Sequence, residues 1–229
     1  MTRAKKALLS VGIVVALLGG AVAVLPPLLW GDRVDYSRVA SIERTREYQD
    51  PALLARALAL PVAARYAAAI DYQRNPSFCG PTSLVNVMRS LGLAAEQRTI
   101  LDGTETRTVL GLLPGGLTLD ELAAIARRKL QRKVTVLRDL DLPMLRAQLR
   151  RSNDPAVRYV ANFSRGPLFG RGGGHHSPIA GYLEAEDLAL VLDVNRKYRP
   201  WLVRPERLLE AITTVDRGAG KARGLLLIE

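Results

Sequence analysis

The chain has 229 residues, with 33 Lys plus Arg against 22 Asp plus Glu for a formal charge of +11, one Cys and two His. A single thiol excludes an internal disulfide framework and any Cys-based zinc cluster, because both need thiols in numbers. A composition of 48% hydrophobic and 24% charged residues excludes a disordered chain, and the length fits one compact domain with a short extra segment.

Arg3, Lys5 and Lys6 precede an uncharged apolar run from Ala7 to Trp30, interrupted late by Pro26 and Pro27. A helix needs roughly 20 residues to cross a bilayer, and this run is long enough, so residues 1–31 are expected to form an N-terminal transmembrane helix. Ala21-Val22-Ala23 offers a competing signal-peptidase pattern. Under either reading the positive flank stays cytoplasmic and everything from Asp32 onward is exported to the extracytoplasmic side. Residues 32–68, rich in Arg and Ala with a helical start at Pro51, read as linker and lead-in, and residues 69–229 as the main domain, which holds the dense motifs.

Downstream, Cys79-Gly80-Pro81 opens a helical stretch, Thr82–Leu91, that Gly92 closes. Thr118 and Glu121 make a capping box before the periodic run Leu119–Leu130. Lys133–Leu137 alternates as a strand, Asp141 caps a second helix through Arg151, and Ser152-Asn153-Asp154-Pro155 ends it. Arg158–Phe163 alternates again and runs into a glycine-rich loop, Gly166–Gly174. Ile179–Leu183 and Leu188–Val194 read as an antiparallel hairpin, Pro205–Ile212 as a helix and Gly224–Ile228 as a final strand. Helices first and an antiparallel sheet later argue for an α+β fold, not a doubly wound parallel sheet.

The positive charge is unevenly placed. Ten basic residues stand between Arg127 and Arg158 against Asp139, Asp141 and Asp154. That run reads first as the solvated face of two helices. No aromatic is interleaved with it before Tyr159, so stacking on nucleic-acid bases is not expected.

The chemistry-bearing residues are few. Cys79 stands where a helix begins, beside unpaired backbone N–H groups and the positive end of the helix dipole, which lowers a thiol's pKa and makes a nucleophile. His175 and His176 follow the glycine-rich loop, and Asp193 lies near the end of the next strand, where an antiparallel partner brings its carboxylate toward an imidazole. Cys, then His, then Asp is the set that cysteine acyl transfer requires, the acid fixing the imidazole tautomer. Gln73, six residues before Cys79, supplies a side-chain amide that can join the Cys79 backbone N–H at an oxyanion. As metal ligands, Cys79, His175, His176 and Asp193 lack the short spacings of zinc sites.

Three stretches then resemble the catalytic domain of the phytochelatin synthase family, papain-like cysteine enzymes that act on glutathione. They are NPSFCGPTSLVNVM around Cys79, NFSRGPLFGRGGGHHSPIAGY around His175 and LALVLDVNRKYRPWLV around Asp193, followed by the similar VDRGAGKARGLLLI. The family's triad is Cys, the His of a Gly-His-x-Ser-Pro motif and an Asp eighteen residues later, which matches Cys79, His175 and Asp193; its oxyanion glutamine matches Gln73. His176 falls where the family commonly has an aromatic and receives no catalytic role from the resemblance.

The resemblance implies a papain-like fold and a two-step reaction in which Cys79 attacks the Cys-Gly amide of glutathione. Water or a second glutathione then resolves a γ-Glu-Cys acyl-enzyme. It implies that charged residues hold the γ-glutamyl head, with Arg196, Asp216 and Arg223 as candidates. It implies no resident cofactor, with a heavy metal arriving only as its glutathione thiolate complex; a homodimer is compatible with the sequence, which carries no sign for or against it. The matching blocks end where plant members continue into a cysteine-rich domain, which implies a lean toward hydrolysis, as in short bacterial members. A papain-like leader peptidase and a non-catalytic anchored protein binding through residues 127–158 are the competing readings.

Overall fold

The computed structural model describes residues 34–67 and 70–229. The expected membrane segment, residues 1–31, lies outside the described residues, among which no helix is long and apolar enough to cross a membrane. Asp35–Glu229 forms one compact unit.

The helices are α1 (Pro51–Leu58), α2 (Pro61–Ala67), α3 (Cys79–Ser90), α4 (Leu119–Lys129), α5 (Leu142–Arg151), α6 (Arg165–Phe169) and α7 (Pro205–Ile212). The strands are β1 (Val134–Leu137), β2 (Arg158–Ser164), β3 (Gly174–Leu183), β4 (Leu188–Leu192), β5 (Pro200–Val203), β6 (Val215–Asp216), β7 (Lys221–Ala222) and β8 (Gly224–Ile228). Six strands make one antiparallel sheet in the order β1-β8-β2-β3-β4-β5, and β6 pairs with β7 alone. The last strand, β8, is inserted between β1 and β2, one strand in from the sheet edge.

Local chemistry accounts for the helix starts. Thr118 and Glu121 form the expected capping box on α4, and Asp141 caps α5 by accepting from the Met144 N–H. Asp50 accepts from the N–H groups of Ala52 and Leu53, with Pro51 at the first position, where no N–H is needed. Pro81 is tolerated in α3 for the same reason, since the first turn has no intrahelical acceptors.

Alternation along the strands divides the core between the two faces of the sheet. One face packs Val160, Ala180, Leu190, Leu202 and Leu226 against α1 to α4. The other packs Tyr159, Phe163, Ile179, Val191 and Leu227 against α5, α7 and an aromatic cluster of Tyr48, Phe169, Tyr198 and Trp201. Sheet strands with helices on both faces fit the α+β expectation.

Several segments depart from the sequence reading. Residues 32–68 are not a linker throughout, because Ile42, Tyr48, Ala57, Val62, Ala63 and Tyr66 are buried and join the two cores. The glycine-rich loop contains α6, capped at its start by Ser164 and at its end by Gly170, whose φ of 70° only glycine adopts without cost. The strand expected at Ile179 begins at Gly174, and β5, β6 and β7 are additional. Part of the basic run is also occupied internally. Arg138 pairs with Asp120, Arg146 with Asp187 and Glu206, and Arg150 with Glu184; Arg151 and Lys133 pair with Glu229, and Arg158 is buried against Ser90.

Candidate active site

Cys79 is the first residue of α3, where the sequence places it just ahead of the helix, and it is buried with its thiol free. The segment leading to it is pinned by amide side chains. Asn86 accepts from the Asp71 N–H and donates to the Asp71 carbonyl. Gln97 accepts from the Arg74 N–H and the Thr82 hydroxyl and donates to the Tyr72 carbonyl. The Gln73 N–H donates to the carbonyl of Val194, one residue past Asp193. The nucleophile loop is thereby held against the end of β4.

Antiparallel pairing of β2 with β3 sets Phe163 opposite His175 and Asn162 opposite His176. His175 is buried, lies edge-on to Phe163, and its Nε2 is 3.0 Å from Asp193 Oδ1. Asp193 is fully buried and accepts four further bonds or contacts of the same kind. Arg165 Nη2 donates to both carboxylate oxygens at 2.9 and 2.8 Å, the Asn195 N–H to Oδ1 at 2.8 Å and Trp201 Nε1 to Oδ2 at 3.1 Å. Arg165 itself stacks over the Tyr198 ring at 3.8 Å.

These contacts fix the protonation states. Burial alone pushes Asp193 up, but the His175 charge and hydrogen bond, the Arg165 guanidinium and the Asn195 amide together hold its carboxyl far below the usual carboxylate range. Burial likewise pushes the Cys79 thiol up, and the His175 charge and hydrogen bond, with His176, overcome it and hold the thiol well below its ordinary value. Burial and Arg165 lower His175, whereas Asp193 and the Cys79 thiolate raise it, and the raising effects win. Thiolate, imidazolium, carboxylate and guanidinium balance, which is what lets four ionic groups stay buried together.

The other expected residues divide. Gln73 Nε2 donates to the Asn75 carbonyl at 2.9 Å, and its Oε1 is buried with no partner among the described residues. Arg223 and Asp216 pair at 3.0 Å, with Arg223 Nη1 also donating to Asn162 Oδ1 at 2.9 Å. A Cβ at Gly174 would lie 2.5 Å from that Nη1, so only glycine leaves Arg223 its place. Arg196 is not in this group: it is exposed and lies over the Tyr72 ring at 4.8 Å.

Sequence reasoning missed Arg165, Asn162 and Trp201. It also set His176 aside, yet His176 Nδ1 is 3.9 Å from Cys79 Sγ and its Nε2 is 2.9 Å from Asn162 Nδ2. The signal for Arg165 and Asn162 lay in the stretch NFSRG, but nothing local to it says which strand will lie beside it.

A nucleophile at a helix start facing a His–Asp pair at the end of an antiparallel sheet defines the papain-like class of folds. A putative C39-like peptidase from Bacillus anthracis shares this fold with a TM-score of 0.50 at 12% identity, over 72% of this chain and 95% of that one. More particularly, the chain belongs to the family described as phytochelatin synthase, which it matches over residues 46–225. It is 28% identical over 170 residues to glutathione gamma-glutamylcysteinyltransferase 1 of Arabidopsis thaliana, covering 68% of this chain and 34% of that protein. It is 27% identical over 170 residues to the glutathione gamma-glutamylcysteinyltransferase of Schizosaccharomyces pombe, covering 69% of this chain and 41% of that protein. The match thus spans 34% and 41% of the length of these two curated relatives.

Proposed function

We propose that the chain catalyses cysteine-dependent acyl transfer on glutathione. The observation that carries this reading is Cys79 at the start of α3 beside His175, whose Nε2 meets Asp193 at 3.0 Å. The Cys79 thiolate attacks the carbonyl of the Cys-Gly amide, and a tetrahedral oxyanion forms. The Cys79 backbone N–H and the second N–H of Gln73 Nε2, the first being held by Asn75, stabilise that charge. His175 gives its proton to the departing glycine amine, and the C–N bond breaks to leave a γ-Glu-Cys thioester on Cys79. His175, now neutral at Nδ1, takes a proton from water or from the amine of a second glutathione. Hydrolysis releases γ-Glu-Cys; transfer lengthens the peptide.

The γ-glutamyl head carries both an ammonium and a carboxylate. Asp216 and Arg223, adjacent to each other and linked through Asn162 to His176, offer one charge of each sign. Arg196, over Tyr72, is a weaker candidate for the same head. A heavy metal enters this scheme as part of the substrate, bridged by glutathione thiolates. Export across a membrane by residues 1–31 belongs to the same proposal.

Incubation of the full chain with glutathione tests it. Glycine release that disappears in Cys79→Ala is the expected result; no release, or equal release by the variant, overturns the reading.

A further inference from the structure

We propose that His176 is a positioning residue of this site: a neutral imidazole, protonated at Nδ1, that donates a fixed hydrogen bond to the Cys79 thiolate. Guanidinium nitrogens only donate, so Arg223 Nη1 at 2.9 Å identifies its partner on Asn162 as the carbonyl oxygen Oδ1. The other end of that amide, Nδ2, is then an N–H donor, and it stands 2.9 Å from His176 Nε2. Nε2 accepts, and the ring's proton resides on Nδ1, the nitrogen 3.9 Å from Cys79 Sγ. Flipping the Asn162 amide would set N–H against N–H at Arg223. Asp216 Oδ2, 3.0 Å from Arg223 Nη1 and 3.5 Å from Asn162 Nδ2, holds both in that arrangement.

When His175 is neutral during turnover, the two adjacent imidazoles therefore have opposite tautomers. His175 places Nε2–H on a carboxylate, which leaves Nδ1 to take or give the proton that the reaction moves. His176 places Nε2 on a donor, so Nδ1–H is held permanently toward sulfur and is not given up. A Ser83 hydroxyl bonded to the carbonyls of both Cys79 and His176 keeps α3 and β3 in register for this contact. The titratable and charged groups around His176 are Cys79 on α3, His175 beside it on β3, and Asp216 and Arg223 beyond Asn162. The inference rests on Cys79 as the nucleophile and not on the identity of the substrate.

The test measures the rate of Cys79 alkylation by iodoacetamide against pH, without glutathione, in the wild type, His176→Phe and His176→Asn. The inflection is expected to rise by about one pH unit in His176→Phe, with alkylation about tenfold slower below it. It should return toward the wild type in His176→Asn, whose side-chain amide N–H stands close to the place of Nδ1. Equal inflections in wild type and His176→Phe overturn the proposal. Independently of any variant, ¹⁵N resonances of the two wild-type histidines are expected to show His176 as the Nδ1–H tautomer, and an Nε2–H or doubly protonated His176 at neutral pH overturns it. A failure to release glycine combined with the expected inflections would sink the substrate assignment and leave this inference standing.

Discussion

On one face of the sheet Asp193 is closed by charge: Arg165, His175 and Trp201 surround it inside a box of Tyr48, Phe163, Phe169 and Tyr198. On the other face, toward α3, His176 is closed by a neutral amide that is itself held by the Asp216–Arg223 pair near the surface. The first region is sealed, with donors on both carboxylate oxygens, and suits a proton that must reside in one place. The second centres on the neutral Asn162–His176 contact and ends at the Asp216–Arg223 pair, which we propose holds the γ-glutamyl head. The two imidazoles, His175 and His176, are thus set apart by the pleat of one strand, β3.

Removing the sealed charge should have the largest effect. Asp193→Asn strips Arg165 of its counter-charge and releases the His175 tautomer. We expect kcat to fall about 10⁴-fold, and chemical unfolding to register a loss of about 3–5 kcal/mol from the buried guanidinium left unpaired. Next comes the His176 region. Arg223→Met should raise KM for glutathione about tenfold or more by removing the contact proposed to the γ-glutamyl head, with a smaller fall in kcat from loosening the Asn162–His176 hydrogen bond that Arg223 supports. A larger fall in kcat than rise in KM would erase the proposed division. Trp201→Phe removes a single donor from Asp193 and keeps the aromatic packing, so it should cost about 1 kcal/mol in stability. Leu110→Ser is expected to change stability by less than about 0.5 kcal/mol, since that side chain is 98% exposed in a tight turn.

The two regions also predict a pH profile. The Cys79 thiol lies below its ordinary value, so the thiolate persists as pH falls and activity is lost only through that lowered value. His175 lies above its ordinary value, so its proton persists as pH rises and is lost through the raised value. The plot of kcat/KM should therefore be broad, wider on both sides than free thiol and imidazole would give. Asp193 titrates far below the ordinary carboxylate range, so its contribution to stability is complete above that range and disappears as pH falls toward the folded value.

The sealed region was the more legible of the two in sequence. A lone Cys at a helix start, histidines after a glycine-rich loop and an Asp near the end of the next strand are local facts, and the resemblance to the phytochelatin synthases singles out His175 and its spacing to Asp193. The Asn162–His176–Arg223 network is not local. It depends on β8, the last strand, pairing with β2 so that Gly224 stands opposite Asn162 and Arg223 falls beside it. No periodicity within β2 or β8 announces that register. α6 was hidden for a different reason: Gly166, Pro167 and Gly170 read as loop, yet Pro fits a first turn and Gly a C-cap. In the lead-in segment, alanines at Ala57 and Ala63 are core residues only because other helices approach closely there.

The central claim, covalent acyl transfer through Cys79, is tested most directly by mixing the full chain with glutathione, quenching in acid and measuring the intact protein mass. The account predicts one γ-Glu-Cys group bound as a thioester, mapped to the peptide carrying Cys79, with an equal amount of free glycine. An unmodified Cys79 in a sample that has released glycine, trapped on the timescale of a single turnover, would contradict it.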